Sequence, residues 1–290
     1  MSCLKTLEEV APLFDYQRWN LRLPHLARQY AGNHPVPHIL LPDFLAYEVV
    51  SQAAYEFPRA DSSSWTHYQH CNENKLGMAK RELFPASLRA LAEELNTPRF
   101  LAWLSRLTGI ADLIADPSLE GGGLHQAGRG GFLNVHTDFS HHHYHEDWKR
   151  RVNLILYLNP AWRAEWGGAI ELWDAEMKFC VVKYPPLLNH VLIFNTHERS
   201  LHGFPEPIRC PMGESRKSLA LYYYSPERGR RMASSSTHYR ARPSDGMGKS
   251  ALIWLDRLAV EWYSRAKARF GFSDEIASRV LGLLSRKNQP

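Results

Sequence analysis

Cysteine is scarce: Cys3, Cys71, Cys180 and Cys210 are the four in 290 residues, and no two of them form a CxxC pair. That spacing indicates neither a disulfide scaffold, nor a paired-thiolate zinc site, nor a redox couple; it fits reduced thiols in a cytoplasmic setting. Long apolar runs are lacking too. No stretch approaches the about 18 apolar residues of a membrane span, and MSCLKTLEEVAPLFDYQRWN at the start carries acidic residues where a signal peptide keeps an apolar core. A continuous basic stripe is also missing. Lys and Arg number 35 against 30 Asp and Glu, a formal charge of +5. The one basic run is Arg228, Arg230, Arg231, Arg240 and Arg242, so nucleic-acid binding is not expected. That run suits an anionic or large substrate and a solvated linker equally well. No internal repeat or coiled-coil heptad occurs.

What the chain does have is 44% apolar side chains, 12% aromatics and fifteen histidines, the composition of a compact globule. A single domain over 1–290 is expected, in three zones. The first, 1–125, is a flank of mixed helix and strand. In it, VPHILLPDFL reads as a strand leading into a turn and helix, and FPASLRALAEELNTPRFLAWLSRLTGI as two amphipathic helices separated at Pro98. The second, 126–226, alternates β-prone segments with Gly, Pro and Asn turns: GFLNVHT, VNLILYL, AIELW, FCVVKY, HVLIFN and SLALYYYS. This pattern predicts an antiparallel sandwich or barrel, making the fold mainly β with flanking helices. The third, 246–287, predicts C-terminal helices, the second capped by Ser273. Trp254, Trp262 and Tyr263 on the first pack on the barrel or serve a homodimer contact, packing being the commoner fate.

The chemistry concentrates in GGFLNVHTDFS. His136 and Asp138 stand two apart on a predicted strand, so both project from one face. With a third ligand from another strand they make a facial triad of two imidazoles and a carboxylate. Such a triad leaves positions open on Fe(II) for a bidentate organic acid and O2. His202, in SLHGF after the strand HVLIFN, is the best candidate; His197 and His190 are nearby alternatives. Arg216 and Ser218 share a face of the last strand, where a guanidinium can pair with a carboxylate inside a barrel. Tyr157, in an otherwise aliphatic strand, either donates to the same carboxylate or keeps a buried ring with a wet hydroxyl. Asn153 and Gln126 read more simply as groups satisfying backbone than as pocket lining. The cluster His141, His142, His143 and His145 reads as a solvated loop, with a lid beside the site or adventitious metal binding as alternatives.

In their order along the chain, GGFLNVHTDFS, RRVNLILYLNPAWRAEWGGAIELWD, HVLIFNTHERSLHGF and ESRKSLALYYYS, with VPHILLPDFL before them, resemble the Fe(II)- and 2-oxoglutarate-dependent oxygenases, prolyl-4-hydroxylase-like branch. The resemblance implies a double-stranded β-helix (jelly-roll, cupin-like) core in which His136, Asp138 and His202 ligate iron. It favours His202 over His197 through the His-Gly pair with Gly203. It further implies that Arg216 binds the distal carboxylate of 2-oxoglutarate with Tyr157 assisting, and that Ser218 completes an Arg-x-Ser pattern. The aspartate at 138 implies hydroxylation rather than halogenation. The implied reaction consumes O2, oxidises an unactivated C–H bond of a peptide or small-molecule substrate (prolyl, amino acid, natural product or sugar), and releases succinate and CO2. Two alternatives stand beside it: a cupin-type metal enzyme that does not use 2-oxoglutarate, and a non-catalytic metal-binding jelly roll.

Overall fold

A computed structural model describes residues 12–227, 237–256 and 258. Four helices, α1 (Tyr16–Gly32), α2 (Tyr47–Tyr55), α3 (Ala86–Glu94) and α4 (Pro98–Thr108), cover one side of the molecule. Their boundaries follow from local chemistry. The Asp15 carboxylate accepts from the Arg18 amide at 2.9 Å and so caps α1. Thr97 caps α4 through the Phe100 amide, Pro98 occupies the first turn, and Gly109 ends the helix at φ 72°. The two helices expected around Pro98 are α3 and α4, and the strand expected in VPHILLPDFL is His38–Leu41.

The strands are β1 (His38–Leu41), β2 (Thr66–His70), β3 (Glu73–Met78), β4 (Ile114–Ala115), β5 (Gly123–Gly128), β6 (Phe132–Thr137) and β7 (Trp148–Tyr157). They continue with β8 (Ile170–Trp173), β9 (Cys180–Tyr184), β10 (Val191–Asn195), β11 (His202–Phe204), β12 (Ser215–Pro226) and β13 (His238–Tyr239). All pairings are antiparallel, in the order β1-β10-β7-β12-β5-β3-β6-β11-β8-β9. The sheet is thus nearly closed into a barrel, the double-stranded β-helix arrangement. It reaches outside residues 126–226 on both sides: β3 pairs with both β5 and β6, and β13 pairs with β6. The segment THYQHCNENKLGM forms the β2–β3 hairpin although it lacks apolar alternation, because β2 is exposed throughout and β3 turns toward a polar cavity.

Strands β7, β10 and β12 are two-faced, as a half-buried strand requires. Val152, Leu154, Leu156, Val191, Ile193, Leu219, Leu221 and Tyr223 join the helices in one apolar core, with Phe14, Trp19, Phe44, Phe100 and Trp103 interlocked at its centre. The opposite face points into the barrel. At the C-terminal end, residues 247–256 are helical; Ile253 is buried, whereas Leu252, Trp254 and Leu255 are exposed. The rest of the expected C-terminal helices, with Trp262, Tyr263 and the Ser273 cap, lies outside the described residues.

Candidate active site

His136 and His202 face each other across the β6–β11 ladder, paired in register with ring centroids 4.5 Å apart. The close approach of these two strands has a backbone reason. A Cβ at Gly203 would lie 2.7 Å from the Leu133 carbonyl oxygen and 2.9 Å from that of Asn134, so only glycine lets β11 settle against β6. Asp138 follows just past the end of β6, with Oδ1 3.5 Å from His136 Nε2 and Oδ2 3.6 Å from His202 Nε2. One ligand atom from each of the three lies within 4.8 Å of the others.

The three groups are oriented from behind. Nδ1 of His136 donates to the Asn134 carbonyl, and Nδ1 of His202 to that of Ser200, both at 2.9 Å. In a neutral imidazole this leaves the Nε2 lone pair turned to the centre. Burial pushes His202 down to about 4 despite the Asp138 charge, so its ring is neutral near pH 7. Asp138 is largely enclosed as well, which acts to raise its pKa. The Arg150 charge and the two histidines outweigh burial and hold the carboxyl well below the usual range. Asn153 Nδ2 donates to Asp138 Oδ2 at 2.8 Å, and Arg150 Nη2 lies 3.1 Å from the same oxygen, close enough for an ion pair though not aligned as a hydrogen bond.

Arg150 is a site residue that the sequence reading missed. Alternation along β7 sends Asn153, Ile155 and Tyr157 into the barrel, which would bring Arg151 in next. An irregularity in the β7–β12 register between Tyr223 and Tyr224 shifts the phase by one residue and turns Arg150 inward instead. Its guanidinium lies 3.4 Å from the Tyr222 ring centroid and 4.6 Å from that of Phe139. Pattern alone gives no signal for such a shift. Asn153, expected to satisfy backbone, instead bonds the central carboxylate.

Deeper in the barrel, Arg216 is 5% exposed, donates from Nε to the Gly168 carbonyl at 2.8 Å and from Nη2 to the Tyr157 hydroxyl at 3.2 Å. Gly168 sits at φ 71°, and a Cβ there would press to 3.3 Å from Arg216 Cδ. No Asp or Glu among the described residues pairs with Arg216. Burial alone disfavours its charge, and the Tyr157 hydroxyl only partly offsets that. Ser218, on the same strand face, stands opposite Tyr157 and His125 in register. His136, Asp138, His202, Arg216 and Ser218 all line one cavity of about 240 Å³, together with Gln126, Asn153 and His125; burial, with Lys75 beside it, pushes His125 down to about 3. Toward solvent its wall is made by the exposed Tyr68 and the half-buried Lys75, Phe139, Tyr222 and Tyr239, with Glu73 buried beside them.

His197 is exposed and accepts from the Arg199 amide, and His190 Nδ1 donates to the Leu188 carbonyl; neither lines the cavity. The HHHYH segment is a solvated loop only in part: His143, Tyr144 and His145 are exposed, but the first two histidines are not. His141 and His142 are buried, His141 Nε2 meets Glu227 at 2.8 Å, and His142 Nε2 lies 3.3 Å from Asp116 between the rings of Trp148 and Tyr224. His143 pairs with Glu120. The acids that bury this cluster come from elsewhere in the chain, beyond any local window. Of the basic run, Arg242 is committed to Glu206 and Asp245, while Arg228, Arg230 and Arg231 lie outside the described residues.

The donor set fits iron on its chemistry: two imidazoles and one carboxylate converge on one point, and a buried guanidinium without an acidic partner among the described residues faces the same cavity. Comparison with known proteins agrees. The family model described as 2OG-Fe(II) oxygenase superfamily matches residues 122–224. A prolyl hydroxylase from Trichoplax adhaerens, solved with a peptide fragment of the hypoxia inducible factor oxygen degradation domain, superposes with a TM-score of 0.52 at 18% identity, covering 72% of this chain and 91% of that one. A prolyl-4-hydroxylase from Pseudomonas putida is similar at 17% identity and a TM-score of 0.49, covering 71% of this chain and 100% of its own. No curated protein matches the chain. No helix among the described residues is long and apolar enough to cross a membrane. Residues 122–224 thus match the 2OG-Fe(II) oxygenase superfamily, and the fold is like that of a prolyl hydroxylase.

Proposed function

We propose that the chain works as one oxygenase unit that hydroxylates an unactivated C–H bond of a peptide or small-molecule substrate, with release of succinate and CO2. In this reading His136, Asp138 and His202 hold Fe(II), and Arg216, assisted by Tyr157 and Ser218, receives the distal carboxylate of 2-oxoglutarate. The observation that carries it is Arg216: a buried guanidinium with no acidic partner among the described residues, on the wall of the cavity that also contains the His-Asp-His cluster. A jelly roll that only binds metal, or an enzyme that does not use an oxo acid, has no need of that charge at 5% exposure.

Fe(II) with its cosubstrates supplies the oxidising power to break the C–H bond; the protein supplies placement. His136 and His202 present Nε2 because their Nδ1 protons are held by carbonyl groups. Asn153 and Arg150 keep the Asp138 carboxylate ionised and aimed inward. Arg216 and Tyr157 anchor one end of the cosubstrate, so its other end is directed at the metal ligands. Phe139 and Tyr222 cover Arg150 and keep bulk water from that side. Unpaired Cys71, Cys180 and Cys210 support a cytoplasmic setting. The test is succinate release from 2-oxoglutarate with Fe(II) and O2, screened against peptides and small molecules. Succinate formation stimulated by a substrate and abolished in Asp138→Ala is the expected result; formation unaffected by that substitution contradicts the proposal.

A further inference from the structure

A second group of metal-ligating side chains stands at the barrel mouth, separate from the central cluster. His70 ends β2, Cys71 follows in the turn to β3, and Asp256 approaches from the helical residues 247–256. One ligand atom from each lies within 4.8 Å of the others. His70 and Cys71 are exposed and Asp256 is partly so, which leaves the group open to an ion from solvent.

His70 and Asp256 are each held in place by a neighbour. Glu73 Oε1 meets His70 Nε2 at 2.8 Å and Lys75 braces Glu73 through its second oxygen at 3.1 Å. The other ring nitrogen, Nδ1, faces the turn and accepts from the Asn72 amide at 3.3 Å. A carboxylate on the far nitrogen is the usual outer partner of a metal-bound imidazole. Asn72 Nδ2 donates to Asp256 Oδ2 at 2.6 Å, and Asn72 Oδ1 accepts from Asn134 Nδ2 at 3.1 Å, so the second carboxylate is oriented as well. The carboxylates of Glu73 and Asp256 on either side of the ring favour a cation there.

We propose that His70, Cys71 and Asp256 form a second divalent-metal site, of the zinc class, that ties the helical residues 247–256 to the β2–β3 turn. One nitrogen, one sulfur and one oxygen donor suit Zn(II) or Co(II) better than Mg(II) or Ca(II), with water completing a tetrahedron. The site borders the entrance to the active-site cavity: Tyr68 and Glu73 line that cavity, and the Tyr239 ring, which also lines it, stands edge-on to His70 at 6.0 Å. Cysteine spacing carries no sign of it, since the third ligand comes from the far end of the described chain.

Co(II) titration of the full chain under anaerobic conditions separates the two sites, because only this one contains sulfur. Two equivalents are expected to bind, one of them producing a thiolate-to-cobalt charge-transfer band in the near ultraviolet. Cys71→Ser and Asp256→Asn should each abolish that band and leave one equivalent, whereas His136→Ala should remove the other equivalent and keep the band. Glu73→Gln should weaken the thiolate-bearing site about 10- to 100-fold. Absence of the band in the wild-type chain, or its persistence in Cys71→Ser, overturns the proposal and leaves the iron assignment untouched.

Discussion

The two faces of β7 and β12 share a backbone and differ in almost every side chain. Toward the helices, Val152, Leu154, Leu156, Leu219, Leu221 and Tyr223 are at most 1% exposed and form a continuous apolar core. Into the barrel, the same strands send Arg150, Asn153, Tyr157, Arg216 and Ser218, equally buried and mostly polar. The first face gains stability from each side chain it removes from water, about 1.5–3 kcal/mol for a leucine. The second bears desolvation costs that hydrogen bonds offset only in part. The period-2 geometry of a strand lets one face fund the other: rigidity comes from the helix side, and the barrel side is free to hold charged groups where chemistry needs them.

The comparison breaks most sharply at Arg216. Arg216→Met, which keeps volume and removes charge, should weaken 2-oxoglutarate binding by about 2–5 kcal/mol, more than about thirtyfold in KM, while the unfolding midpoint stays level or rises. A parallel loss of stability would mean that Arg216 is structural. Leu154→Ala on the opposite face should do the reverse, costing about 2–5 kcal/mol in chemical denaturation with turnover per folded molecule unchanged. Asn153→Ala sharpens the contrast within the barrel face itself: loss of the bond to Asp138 should reduce Fe(II) affinity about 10- to 100-fold, measured by metal titration.

The smallest effect lies at the barrel mouth. In metal-free protein the His70 ring should titrate near 9 by NMR, and Glu73→Gln should move that midpoint back toward 6.5. A raised histidine stabilises the fold below its unfolded pKa and loses that contribution as pH rises through the folded value. Glu73, lowered to about 2 by His70 and Lys75 against the effect of burial, contributes above its unfolded 4.5. The pair is therefore fully effective between about pH 4.5 and 6.5 and weakens toward pH 9.

Much of this was legible from residue order. The alternation in VNLILYL and SLALYYYS located the two-faced strands, and His-x-Asp on one strand face with His-Gly on another located the central cluster. Spacing was enough there because each feature is local to one strand. Arg150 was not legible, because a register irregularity, not alternation, turns it inward. Within the histidine cluster, the burial of His141 and His142 was not legible for a related reason: Asp116, Glu120 and Glu227 reach them from distant positions, so the polar, acidic local window indicated only the solvated part of the loop. The β2–β3 hairpin was missed because β2 is exposed on both faces and shows no apolar period to detect.

The central claim is that the barrel face holds Fe(II) and 2-oxoglutarate together. Anaerobic addition of both to the intact chain tests it directly by visible absorption. A weak metal-to-ligand charge-transfer band is expected in the wild-type chain and should be absent in His136→Ala, because chelation of the oxo acid needs the metal held by these ligands. No band in the intact chain, or a band unchanged in His136→Ala, contradicts the account.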